Sequence, residues 1–196
     1  AVTVFEQGSV PNEMATSTDV SKAIRRTWYA GDNETYVELA ERAGVKWREW
    51  ERRSGAEIYH QVGGINIFVG FDPGTAMYES VLFLTDRGAE LQVRNAEQAR
   101  DRFPQFRLRD EETCVYDPWA GYLESGRAVR NLAQLARERG VQVLENEPVA
   151  AVEEGRDGVT VRVGSGQRTF DRVVVATGVW MGRLLPEIGR HLEVTH

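Results

Sequence analysis

The sequence predicts an α/β protein, and three stretches carry that prediction. Val173-Val174-Val175-Ala176 is a continuous apolar run that passes into Thr177-Gly178 and then a helix-like segment. Such a run reads as a strand buried on both faces, the usual state in a parallel sheet. Ser125 to Arg139 carries helical periodicity, is closed by Gly140 and leads at once into the strand-like Val141-Gln142-Val143-Leu144, a helix-to-strand step typical of parallel α/β sheets. The chain also opens on a short apolar strand, Ala1 to Phe5, that ends in an acid, Glu6. Between these stretches, residues from about Gly55 to Leu123 mix helices and strands and read as an inserted α+β lobe.

Composition narrows the function classes. At 196 residues with 41% hydrophobic and 28% charged residues, the chain can bury a sizeable core. The net charge of -6 argues against a nucleic-acid partner or an anionic membrane surface. No apolar run approaches the roughly 20 residues a membrane helix needs, and no secretory leader is visible. One cysteine, Cys114, and three scattered histidines, His60, His191 and His196, exclude a disulfide framework and give no metal site. A reducing, cytoplasmic setting is the default expectation.

The elements follow in order. Glu6 at the end of the first strand has two readings. In a dinucleotide-binding βαβ unit the acid after the second strand holds ribose hydroxyls, whereas an edge strand can carry a plain solvated Glu. Gln7 to Thr16 is a loop rich in Gly, Ser, Pro and Asn. Thr18 or Asp19 is a candidate cap for a short helix on which Lys22 and Arg26 share a face. Glu34 to Ser54 reads as a long amphipathic helix with Tyr36, Leu39, Ala40, Ala43, Trp47 and Trp50 on its apolar side, and Gly55 ends it. Glu57 to Val69 reads as a strand split at Gly63-Gly64.

Gly74 to Arg87 is a second helix, ended by Gly88, and Asn95 to Phe103 a third, begun by an Asn cap and stopped before Pro104. Thr113 to Tyr116 and Gly121 to Leu123 are short strands. Ser125 caps the next helix, with Val129, Leu132, Ala133, Leu135 and Ala136 on its apolar side. Pro148 to Val152, Val159 to Val163 and Gln167 to Phe170 form a meander with glycine turns. Trp180 to Leu185 begins a last helix, and Leu192 to Thr195 a last strand.

Several of these pieces stand in an order that resembles the FAD-dependent amine oxidases of the D-amino acid oxidase superfamily, in the branch of monomeric sarcosine oxidase and the fructosyl-amine oxidases. The resemblance rests on the strand ending in Glu6, the segment Ser17 to Arg25, and the helix from Tyr36 with its Trp pair. It continues through Tyr59 to Gly64, the Gly121-Tyr122-Leu123 turn, the helix from Ser125 and the stretch Val174 to Trp180.

The resemblance implies a partial FAD-binding, Rossmann-like sheet, with residues 1–54 and 124–190 as the FAD-binding portion and residues 55–123 and 191–196 as part of a substrate lobe. It implies that Glu6 holds the ribose of the adenosine half of FAD and that the backbone of Val149 meets the adenine. Ser21 and Lys22 would approach the flavin ring, Lys22 as a catalytic cation that tunes charge around it. Ala176, Thr177 and Gly178 would pass close to the FAD, followed by Trp180. The Gly-rich pyrophosphate turn that opens the family pattern has no counterpart here, and the pattern continues past His196, so the chain resembles an internal piece. Some members hold their flavin through a cysteine in the missing parts, and Cys114 does not match it. The implied activity is oxidation of the carbon–nitrogen bond of a small amine or N-substituted amino acid, with oxygen as electron acceptor. A flavin dehydrogenase that feeds a partner and a cofactor-free, non-catalytic fragment are the alternatives.

Overall fold

The computed structural model describes residues 1–27 and 34–192. The chain divides into two compact units, Ala1–Val20 with Ser125–His196, and Ser21–Glu124. Of the described residues, 21–27 and 34–54 belong to the second unit, where their strand and helix find their partners.

The second unit runs β2 (Lys22–Ile24), α1 (Glu34–Ser54), β3 (Tyr59–His60), β4 (Gly64–Val69), α2 (Ala76–Asp86), β5 (Gln92–Asn95), α3 (Ala96–Arg102), β6 (Glu112–Asp117) and β7 (Gly121–Leu123). Its strands form two antiparallel sheets, ordered β2-β7-β3 and β4-β6-β5. In the latter, β6 lies in the middle and is buried from both sides. Cys114 packs with Ala96, Ala99 and Leu108 on the α3 side, and its neighbour Val115 with Met77 and Val81 on the α2 side. The period-2 alternation of a strand sends these adjacent residues to opposite cores. Asn95 starts α3 with a complete capping box, its side chain accepting from Gln98 N at 2.9 Å. The strand β5, just before that cap, was not read from the sequence.

Burial pushes the Cys114 thiol up from its ordinary range, and nearby Arg94 offsets this only in part. The thiolate is the reactive form. Cys114 is therefore expected to resist alkylation at neutral pH in the native protein and to react rapidly in urea, as intact-mass measurement would record. Fast labelling of the native thiol would contradict the burial.

The helix α1 has the predicted bounds but not the predicted face. Tyr36 and Leu39 are exposed, while Val37 and Gly44 are buried. Gly44 is needed for close approach: a Cβ there would sit 2.9 Å from Cζ2 of Trp119. Trp47 and Trp50 meet edge to face at 4.9 Å, a packing contact, as expected.

The first unit contains β1 (Thr3–Phe5), α4 (Ser125–Glu138), β8 (Gln142–Leu144), the meander β9 (Val149–Gly155), β10 (Gly158–Val163) and β11 (Gly166–Phe170), and the short helices α5 (Met181–Leu184) and α6 (Pro186–Gly189). β1 pairs with β8 in parallel, Val4 opposite Val143. The meander packs on β1 through Phe5, whose ring meets Phe170 edge to face at 6.0 Å and lies under Arg168. α4 buries Ser125, Ala128, Asn131 and Leu135. Ser125 is the first residue of α4 and ties down the loop before β2: its hydroxyl donates to Asp19 O at 2.7 Å and accepts from Asp19 N at 3.1 Å.

Three expectations are corrected here. The segment expected to form a helix over Thr18 to Arg26 instead turns and then forms β2, with Lys22 opposite Leu123 and Ala23 opposite Tyr122. Ser, Thr and Asp favour turns as readily as helix caps, and the distant β7 supplies the ladder that decides between them. Arg172 to Ala176 pairs with no strand among the described residues, and Val174 is 89% exposed. Its composition suits two-sided burial, but none of the described strands lies in a sheet with it. The helix after Gly178 is a 3₁₀ turn, Gly178–Trp180, followed by α5 and α6, with Pro186 starting α6. The strand expected from Leu192 lies outside the described residues except for Leu192 itself.

Candidate cofactor site

Glu6 follows β1 at its carboxyl end, where its N–H donates to Leu144 O at 2.9 Å and its own carbonyl accepts from Glu147 N at 2.9 Å. The following loop folds back onto the side chain. Gly8 N donates to Oε1 at 3.0 Å and Asn12 Nδ2 donates to the same oxygen at 2.7 Å. Among the described residues, Oε2 has no hydrogen-bond partner. The carboxylate is thus oriented through one oxygen, with the other left to accept a donor. Gly8 and Asn12 were missed as orienting residues because Gly and Asn are ordinary loop residues; only the fold-back gives them this role.

A cavity of about 220 Å³ opens at this end of β1, lined by Phe5, Glu147, Val163, Gly166, Gln167 and Arg168. Val149, half-buried, starts β9 two residues after Glu147 and stands opposite Val163, beside a register irregularity. Glu6 and Val149 are therefore both joined to the β1–β8 end of the first unit through the segment after β8.

Thr177, in the same unit, has a buried hydroxyl with no hydrogen-bond partner among the described residues, and so has Thr18. An orphaned buried hydroxyl is costly unless something else satisfies it. Gly178 has φ +54, the left-handed region. A Cβ there would meet nothing within 4 Å, so conformation, not close approach, explains this glycine. Trp180 ends the 3₁₀ turn, its N–H donating to Thr177 O at 3.1 Å, while Ala176 is exposed.

Ser21 and Lys22 belong to the second unit and are both exposed, at the start of β2. Beside β2 lies a smaller cavity of about 130 Å³, whose walls include Ala23, Arg25, Thr27, Asn66 and Gly121. Asn66 Nδ2 donates to Thr27 Oγ1 at 3.1 Å. The sequence-predicted residues thus fall into two groups, Glu6, Val149 and 176–180 in one unit, Ser21 and Lys22 in the other. Among the described residues no group of His, Cys, Asp and Glu could hold a metal ion, and no helix is long and apolar enough to cross a membrane.

N-methyl-L-tryptophan oxidase of Yersinia pestis (strain Pestoides F) is 28% identical over 187 residues, which cover 95% of this chain and 49% of the relative. The chain therefore spans about half the length of the curated relatives it matches. Among solved structures, NikD, an amino acid oxidase of nikkomycin biosynthesis, superposes with a TM-score of 0.81 at 20% identity, over 96% of this chain and 48% of its own. Glycine oxidase from Geobacillus kaustophilus gives a TM-score of 0.80 at 20% identity, over 96% of this chain and 51% of its own. At that identity the two structures establish the shared fold. A family model described as FAD dependent oxidoreductase matches residues 1–195, and the chain belongs to that family.

Proposed function

We propose that this chain is part of an enzyme that oxidises the carbon–nitrogen bond of a small amine or N-substituted amino acid, and that its first unit holds the adenosine half of FAD. The observation that carries the proposal is Glu6: a carboxylate fixed through Oε1 at the carboxyl end of a parallel strand, with Oε2 open to a hydroxyl donor. Ligands of open α/β sheets bind at that end of the strands. The polar groups fit FAD, with Glu6 for ribose hydroxyls, the Val149 backbone for the adenine edge, and the Thr177 hydroxyl, which has no partner among the described residues, for a polar atom of the cofactor.

When bound, FAD supplies the two-electron acceptor for the substrate's carbon–hydrogen bond. The chain's residues bind and tune. Ser21 offers a hydroxyl and Lys22 a positive charge that favours negative charge on a neighbouring ring system. Ala176, Gly178 and Trp180 carry the backbone past the cofactor. The relatives' names support amine or amino-acid substrates, and their oxidase names support oxygen as acceptor. Peroxide released on turnover would separate an oxidase from a dehydrogenase that feeds a partner.

The purified protein is expected to show the absorbance bands of bound oxidised flavin, and Glu6→Ala to weaken FAD binding by about 10- to 100-fold, the loss of a charge-assisted hydrogen bond. Lys22→Met should slow flavin reduction or reoxidation by roughly tenfold or more in stopped-flow traces. A colourless protein that takes up no added FAD would support the cofactor-free fragment instead. Unchanged rates in both half-reactions would remove Lys22 from the chemistry.

A further inference from the structure

β2 is held unusually for a strand that carries candidate site residues. It is three residues long and, among the described residues, lies at the edge of its sheet with β7 as its one neighbour. Lys22 and Ala23 are exposed and Ile24 is half-buried, so apolar burial contributes little to its position. Immediately beyond it, exposure collapses to 9% at Arg26 and 1% at Thr27.

Arg26 is bound on three sides. Its Nε donates to Asp117 Oδ2 at 3.1 Å and Nη2 to Asp117 Oδ1 at 3.3 Å, a two-pronged contact with the end of β6. Nη1 donates to Glu41 Oε1 on α1 at 2.8 Å, and the guanidinium lies over the Trp119 ring at 5.1 Å from its centroid. Asp117 also accepts from Trp119 N at 3.0 Å, which fixes the β6–β7 turn from the same carboxylate. One guanidinium therefore ties the end of β2 to α1, to β6 and to the turn leading into β7.

We infer that Arg26 is a positioning residue that anchors β2 and, through it, sets where Ser21 and Lys22 stand. Lys22 lies four residues along a nearly extended chain, about 13 Å from the anchor. A planar fork bound at both prongs fixes direction as well as distance, which a lysine ammonium cannot do. The part of the inference that concerns Lys22 rests on the flavin reading above; the anchoring of β2 does not.

The test uses Arg26→Lys, which keeps the charge and loses the fork, with Glu41→Gln as a milder variant that should show the same pattern more weakly. Hydrogen exchange is expected to accelerate by about tenfold or more at the amides of Lys22–Ile24 and Gly121–Leu123, with Gln92–Asn95 and Glu112–Val115 unchanged. Equal acceleration throughout the second unit, or none in β2, overturns the anchoring role. In the flavin-loaded protein, the flavin midpoint potential is then compared for Lys22→Met, Arg26→Lys and the double variant. If Arg26 acts through Lys22, the double variant matches Lys22→Met alone; additive shifts overturn that route. Absence of FAD binding overturns the flavin reading and the route through Lys22 together, and the exchange data still decide the anchor.

Discussion

Asp117→Ala is expected to destabilise the second unit by roughly 3–5 kcal/mol, because it strips one partner from a buried ion pair and leaves the other charge in place. Asp117 is fully buried and Arg26 nearly so. Burial alone disfavours the guanidinium's charge, but its bonds to Asp117 and Glu41 outweigh that and hold its proton more tightly than usual. Without Asp117, the partly exposed Glu41 is the ion-pair partner that remains among the described residues. The Trp119 N–H loses its acceptor in the same change. By contrast, an exposed helix-surface pair such as Arg42 and Glu38 is worth roughly 0–1 kcal/mol. Urea unfolding should therefore separate Asp117→Ala from Glu38→Ala by a large shift in midpoint. Equal midpoints would show that the buried pair contributes no more than a surface one.

Gly121→Ala is expected to cost about 3 kcal/mol, the upper end for overpacking. The added methyl would land on the carbonyl oxygen of His60 and lie 2.9 Å from Gln61 Cα. Both are backbone atoms, so no rotamer change relieves the clash. β7 is the central strand of its sheet, with Tyr59 and Lys22 both opposite Leu123. Moving it disturbs both ladders. At Gly164 a Cβ would meet nothing within 4 Å, and its φ of +57 is the one obstacle. Gly164→Ala should then cost about 1–2 kcal/mol. Thermal unfolding of the two variants under one buffer gives the comparison, and a Gly121→Ala protein as stable as Gly164→Ala would refute the close approach.

What could be read from the residues was what local chemistry decides. The 3.6-residue period of Glu34 to Ser54 and of Ser125 onward, the Asn95 cap and the glycine turns of the meander each act within a few positions. Gly55, Gly88 and Gly140 end their helices with positive φ, as their composition implies. The errors arose where distant partners decide. β2 exists because Gly121–Leu123 offers it a ladder about 100 residues away, and no local signal reports that. Arg172 to Ala176 has strand composition, but composition does not supply a neighbour.

The candidate site was legible to the same degree. Glu6 reads as an acid at a strand end, open between a ribose ligand and a plain solvated side chain. Its orientation by Gly8 and Asn12 depended on how a loop folds back. Arg26 reads, with Lys22, as one of two basic residues on a helix face, because its true partner Asp117 lies 91 positions further on.

The double burial of β6 has a consequence for how this chain tolerates insertion. A single residue added within Glu112–Asp117 would shift the pleat by one, turning Cys114 toward the α2 side and Val115 toward the α3 side. Neither core could be rescued by moving the strand as a whole, since correcting one misplaces the other. In β11 (Gly166–Phe170), whose residues are exposed up to Phe170, the same insertion displaces Phe170 and Arg168 from the Phe5 ring but turns no fully buried side chain of the strand outward. Length variation in this chain should therefore concentrate in the meander and be absent from β6.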